Sequence, residues 1–523
     1  MTPDAAADPL PLPENQIRSA AGMTTRIAKS SLWSLAGQVT PVAVSLATTP
    51  FTIRLLGAEG YGVLVLIALL PAFLAFADLG MSMAATKFCS SAFVTDDREK
   101  ERRTVSTAAI LVLCGSLPVV FILIVFAGEI VPAFNVPAIY IQEARLALRI
   151  AAVTFVINLI ISVAKAPLLA RLRTDIVAIT TALPRIVAMI AIPFALYLGY
   201  GIVGAVSLLF FAGLISLVLY VVILFRFVRV PLTLTFDRAI SWSLLGFGVP
   251  YAFSTVGGIL VTHLEKPVLS AVASVKDLAY YSAAYSFAML ATMFTAAVLE
   301  SLVPAFSQLH ARDGKSELKN LFVRSLKINV IVMLPIVATM GVAARPLLSI
   351  WGGADFGEHS TPAFYLLLVG MFFNLTASIP LSVLLAYGRT GLLAKLYWFE
   401  LVPYIILTLG LTTAFGIKGA AAAWSIRTAV DALIVAFLTH RVSGVSIADI
   451  NWRPMYLLFG FMLLFLPAVL FPLFADRIYV WLRLTFILFL AAYAYFAWRS
   501  LLDPNERNWI VARLNGLRNR FAA

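Results

Sequence analysis

At 523 residues, with 61% hydrophobic and 12% charged side chains and a mean hydropathy of +0.95, the chain carries about half the charge of an average soluble protein. That excludes a soluble fold and predicts an all-α, polytopic membrane protein. The net charge of +13 is what cytoplasmic loops facing anionic lipid give, and it calls for no nucleic-acid partner.

Residues 1–24 are rich in Pro, Ala and Asp and lack an apolar run long enough for a signal-peptide core, so they are expected to form a disordered cytoplasmic tail. A helix needs about 20 apolar residues to cross the hydrocarbon core. Fourteen such stretches follow, near 31–53, 61–84, 104–126, 146–165, 176–198, 202–225, 244–266, 280–303, 323–343, 361–384, 393–414, 418–440, 454–474 and 480–499. The first and seventh contain Gly, Pro and charged residues, which makes them the candidates for broken or curved helices. The two cysteines, Cys89 and Cys114, fall at the end of one helix and inside the next, where they serve as small apolar fillers rather than a disulfide. FDRAISWSLLGF (236–247) reads as a short interfacial elbow before the seventh span. In 501–523, Ile510, Leu514, Leu517 and Phe521 recur at helical spacing among arginines, the pattern of a helix lying on the membrane.

Lys and Arg orient these spans. With the N-terminus in the cytoplasm, 28 of the 39 basic residues fall on the cytoplasmic side, in clusters such as TDDREKERR (95–103) and HARDGKSELKN (310–320). The positive-inside rule then places both termini in the cytoplasm.

The chain also repeats itself. NLIISVAKAPLLARLRT (158–174) and NLTASIPLSVLLAYGRT (374–390) share eight of seventeen positions without a gap, and GIVGA (201–205) answers GIKGA (416–420). Six spans per repeat is an even number, so the halves enter the membrane in the same direction, one of the known transporter plans. The expected organisation is a six-helix lobe over 25–235, a second over 236–445, two further transmembrane helices over 446–500, and the amphipathic cytoplasmic tail. Gly199, Gly201 and Gly204 spell GxGxxG, but they sit between two spans with no preceding strand, so dinucleotide binding does not follow. No GxxxxGK[ST] is present to power transport, the four His residues have no ligand spacing, and neither a metal nor another cofactor is expected.

The segment 29–88 carries R-L-L-G-x-x-x-Y-G from Arg54 to Gly62 and then Ala-Asp-Leu-Gly at 77–80, while LEKPVLSAVASVKDLAYYSAAYSFA (264–288) holds the adjacent Glu265 and Lys266. On these residues the chain, from about 25 to 500, resembles the Wzx-type polysaccharide flippases of the MOP exporter superfamily. That superfamily also holds lipid II flippases and multidrug extruders. The resemblance implies two lobes around a cavity opening alternately to either side of the bacterial inner membrane. It implies outward flipping of undecaprenyl-diphosphate-linked oligosaccharides for surface polysaccharide, with membrane lipids, a polymerase and assembly proteins as partners. A lipid II flippase and a multidrug-type exchanger are the alternatives. Lipid II flippases carry several Arg residues in their first two spans, where only Arg54 is clear here. A membrane enzyme would need a large outward loop, and the outward joints reach only about twenty residues.

Ionisable groups within the bilayer are costly and mark sites or partners. A diphosphate-linked sugar needs donors and positive charge, best supplied by Arg. The resemblance implies a cavity lined mainly by the first, second, seventh and eighth spans, which hold Arg54, Asp78, His263, Glu265, Lys266 and Glu300. Arg54, His263 and Lys266, with Arg185 and Arg427 elsewhere, are candidates for substrate binding. Asp78, Glu300, Glu265 and Asp431 are candidates for ion coupling. Five of them have a structural alternative: Glu265 and Lys266 pair at an interface, Asp78 caps a helix break, and Arg427 neutralises Asp431 four residues on. Asn158 and Asn374, equivalent in the repeat, are expected to join helix to helix.

Overall fold

The computed structural model describes residues 14–228, 235–312, 314–446, 486, 488, 490–501 and 507, and every described element is helical. Nine stretches among the described residues are long and apolar enough to cross a membrane. The chain divides into two compact units, Met1–Thr262 and His263–Ala523.

The first unit contains α1 (Glu14–Phe73), α2 (Met81–Val94), α3 (Arg98–Val125), α4 (Ala127–Ile130), α5 (Ile141–Ala164), α6 (Ala166–Ala170), α7 (Thr174–Tyr197), α8 (Gly201–Ile223) and all but the last residue of α9 (Arg238–His263). α1 begins inside the segment expected to be a tail: the prolines stop at Pro13, and the run that follows has no breaker before Gly22. It is interrupted at Gly57, where φ is 70°, inside the R-L-L-G joint. The Ala-Asp-Leu-Gly motif makes a second break. A 3₁₀ turn at Ala75–Asp78 is followed by Leu79 and Gly80, both left-handed, so the expected span 61–84 is two helices. At Gly80 a side chain is costly for a further reason, since a Cβ would lie 2.0 Å from the Gly248 carbonyl oxygen on α9 and the backbone would have to shift. α9 runs unbroken from Arg238, and the elbow expected over 236–247 is its first turns; Asp237 caps it, accepting from the Ala239 and Ile240 amides at 2.9 and 3.1 Å.

The second unit contains α10 (Glu265–Val272), α11 (Val275–Met289), α12 (Thr292–Ala311), α13 (Lys315–Gly352), α14 (Ala354–Ala386) and α15 (Thr390–Ser443). α14 is its axis, packed by α11, α12, α13 and α15, and its core includes Phe364, Leu367 and Met371, all fully buried. α15 turns back at Gly416, where φ is 55°. The expected seventh span is indeed broken: α9 ends at His263 and α10 starts at Glu265.

The repeat read from side chains is present in the backbone. Leu172 and Gly388 both adopt positive φ, 55° and 70°. Around them the Arg173 amide donates to Leu168 at 2.9 Å and the Arg389 amide to Leu384 at 3.0 Å. Gly201 and Gly416, which open the two GIxGA joints, have φ of 56° and 55°. The span expected at 454–474 lies outside the described residues, as do most of the amphipathic tail and part of the span expected at 480–499.

Candidate functional site

The densest set of buried polar groups among the described residues lies in the second unit, where α10, α11 and α15 meet. Glu265, fully buried, accepts from the Tyr281 hydroxyl at 3.1 Å and the Tyr404 hydroxyl at 3.0 Å, one on each carboxylate oxygen. Lys266, the next residue, points elsewhere. Its ammonium sits 3.9 Å over the Tyr285 ring and 3.4 Å from His263 Nδ1, and Tyr285 meets Trp424 edge to face. The expected Glu265–Lys266 pair is therefore two separate contacts, because adjacent helical residues point about 100° apart.

One layer along α15, Arg427 donates to Glu400 at 3.5 Å and lies 5.4 Å from the centre of the Tyr404 ring. Arg427 and Glu400 are 9% and 6% exposed, which makes this a buried ion pair. The partner expected from sequence was Asp431. Instead, the turn at Gly416 lays the two halves of α15 side by side, and Asp431 sits within hydrogen-bonding reach of Glu400. Glu400 Oε1, Asp431 Oδ1 and Arg427 Nε are buried with no hydrogen-bond partner. The cluster thus gathers two carboxyl groups around one guanidinium, one acid more than it has bases. Glu400 belongs to this site and is not among the site candidates named above; the ungapped repeat maps Arg185 of the first half to position 401, one residue from Glu400, which is the signal the sequence carries.

The remaining expected residues are dispersed. Arg54 is exposed, just before the Gly57 break. Asp78 accepts from the Ser82 hydroxyl at 2.7 Å and its amide at 3.4 Å, which is the capping alternative, although its Oδ1 is left buried and unpartnered. Glu300 falls on α12, and its side chain lies outside the described residues. Arg185 lines a cavity of about 380 Å³ within the first unit, together with Asn158. Asn158 therefore faces space rather than a neighbouring helix. The helix-to-helix amide contact is made by Asn329, which donates to the Leu375 carbonyl at 3.2 Å. Both cysteines are free, Cys89 buried and Cys114 exposed.

Comparison with known proteins decides the family. The model of the family described as "Polysaccharide biosynthesis protein" matches residues 27–310, more than half of the chain. The chain belongs to that family. A Shigella flexneri protein provisionally named an O-antigen transporter is 26% identical over 425 residues, covering 80% of this chain and 99% of that protein. A Haloferax volcanii protein provisionally named low-salt glycan biosynthesis flippase Agl15 is 22% identical over 40% of this chain and 45% of its own length. Among solved structures, the lipid II flippase MurJ in an inward closed conformation matches with a TM-score of 0.70 at 16% identity, over 90% of this chain and all of that one. An inward-facing multidrug resistance MATE family transporter of the MOP superfamily matches at 0.65 and 14% identity, over 79% and 95%. This member of the polysaccharide biosynthesis protein family thus has the fold of MOP superfamily transporters, as the resemblance at Arg54–Gly62 and 77–80 implied.

Proposed function

We propose that this protein flips a lipid-linked oligosaccharide, carried on undecaprenyl diphosphate, from the cytoplasmic to the outer leaflet of a bacterial inner membrane for surface polysaccharide synthesis, by alternating access. The observation that carries the reading is the match to the Shigella protein named as an O-antigen transporter along 99% of that protein's length. The cargo is anionic, large and hydrated, so it needs cations and donors that can still be reached. Arg54 and Arg185 are exposed and His263 half-buried, which supports them as contacts for the diphosphate, with Lys266 behind His263. Arg427 is committed to Glu400 and is the weaker candidate. Among the acids considered for ion coupling, Asp431 has the most support. Its Oδ1 is buried beside the equally unpartnered Glu400 Oε1, whereas both oxygens of Glu265 are taken by tyrosines.

Deletion of the gene tests the reading. Glycan assembly on the cytoplasmic leaflet should continue without export, so lipid-linked repeat units should accumulate there while surface polysaccharide falls. Normal surface polysaccharide in a clean deletion, in a strain with no second transporter of this family, refutes it.

A further inference from the structure

The membrane-spanning helix α7 has two faces. Ile179, Leu183, Val187, Ile190 and Phe194 recur at spacings of four, four, three and four and are between 47% and 68% exposed, which is the pattern of a lipid-facing stripe. Arg185 stands two residues from both Leu183 and Val187. At 100° per residue it points to the opposite side of the helix, and yet it too is exposed. What it is exposed to is the open cavity of about 380 Å³ lined by α1, α5, α7 and α8.

Arg185 makes no hydrogen bond or ion pair among the described residues. It lies midway along the span Thr174–Tyr197, the depth at which an unpaired cation costs most and signals a ligand or a water path. Most of the cavity wall is apolar, with Leu64, Phe155 and Leu209 among its residues. Two of its hydroxyls are already engaged, Thr181 with Tyr220 at 2.9 Å and Thr154 with the Ile150 carbonyl at 2.8 Å. The amide of Asn158 and the hydroxyl of Ser216 are left as the neutral donors to accompany the guanidinium.

One free cation, one free amide, one free hydroxyl and an apolar wall match a phosphate with a hydrocarbon tail. We propose that this cavity is a mid-membrane binding site for the phosphate of a lipid, with Arg185 and Asn158 on the phosphate oxygens and the first part of the chain along Leu64, Phe155 and Leu209. A resting headgroup sits at the membrane surface, about 15 Å from the midplane. The occupant is therefore a lipid whose headgroup has left the interface. The chemistry is shared by a polyprenyl phosphate and a glycerophospholipid. The site deepens the flippase reading if the former binds, but its existence does not rest on that reading.

The test uses the purified full-length protein in neutral detergent, titrated separately with undecaprenyl phosphate, phosphatidylglycerol and phosphatidylcholine. Thermal unfolding and native mass spectrometry supply the readouts. At least one of the two anionic lipids should bind and raise the unfolding midpoint where phosphatidylcholine does not. Arg185→Gln should weaken that binding about tenfold or more, and Arg185→Lys by less. A preference for undecaprenyl phosphate identifies a carrier in transit, and a preference for phosphatidylglycerol identifies a bound phospholipid; either supports the site. Equal binding of all three lipids, or binding unchanged in Arg185→Gln, overturns it. Should that variant fail to fold, Ala68→Cys, at an exposed position of the same cavity wall, in a Cys114→Ser background gives a second reading. An anionic methanethiosulfonate should label this cavity cysteine faster than a cationic one, and the bound lipid should slow it. Equal rates with and without lipid also overturn the proposal. Surface polysaccharide in the deletion strain is a separate measurement, so the failure of one reading is distinguishable from the failure of the other.

Discussion

Arg427 illustrates how a single side chain is held in the apolar interior. Two carboxylates, Glu400 and Asp431, share its one positive charge, and only Glu400 forms an ion pair with it. Removing one partner of a buried pair leaves an uncompensated charge, which costs about 3–5 kcal/mol. Arg427→Ala should therefore lower the unfolding midpoint and membrane abundance sharply. The double variant Arg427→Leu with Glu400→Leu should recover much of the loss, and more than Arg427→Leu with Asp431→Leu does. Asp431→Asn keeps a donor toward Glu400 and leaves one cation with one anion, so its abundance should stay near that of the parent. If Asp431→Asn retains abundance and loses only export, the carboxyl serves transport rather than folding. Sequence alone suggested Arg427 with Asp431 because they are four residues apart. Glu400 lies on the other half of α15, and only the fold at Gly416 brings it within reach.

At the scale of elements, the start of α9 and its contact with α2 depend on two small features. Asp237 caps α9, its own amide donates to Thr107 on α3 at 3.1 Å, and Arg103 reaches it at 3.5 Å. The Ile240 amide, then Ala239 and Arg103, holds the Asp237 carboxyl below the usual carboxylate range. A folded-state pKa below the unfolded value near 3.9 means the contribution is complete above about pH 4 and is lost as pH falls through the lower folded value. Asp237→Asn still caps but does not titrate, so its unfolding midpoint should fall less than the parent's between pH 6 and pH 3. The second feature is Gly80. Its left-handed backbone alone costs a larger residue about 1–2 kcal/mol, and a Cβ there meets the Gly248 carbonyl. Gly80→Ala should therefore be markedly less stable than Gly391→Ala, where a Cβ meets open space.

For the molecule as a whole, the distribution of Lys and Arg predicts a topology. Reporter fusions at Arg98 and Gly314 should report the cytoplasm, and fusions at Asn135 and Asp355 the outside. A cytoplasmic signal at Asn135 would reverse the orientation of the first unit. The structure supplies the joints these fusions use: Asp97 caps α3 by accepting from Lys100 at 2.9 Å, Asn135 closes a short turn in the left-handed region, and Gly353 separates α13 from α14. Fusions at such joints fall at or beyond the ends of the candidate spans.

The membrane class, the helical architecture and the internal repeat were determined by sequence alone, because hydropathy is summed over twenty residues and the repeat is a direct comparison of letters. The motif R-L-L-G-x-x-x-Y-G was legible for the same reason: Gly57 takes a backbone conformation that few other residues tolerate. Tertiary structure decided the partners. Glu265 is held by Tyr281 and Tyr404, the latter 139 residues away, and no local spacing encodes such a contact. Arg185 was legible as an unusual charge, but whether it faces lipid, a neighbouring acid or space depends on three other helices. Side-chain pairing inside a bundle is set by which helix faces meet, and that is a property of the packed chain rather than of any segment of it.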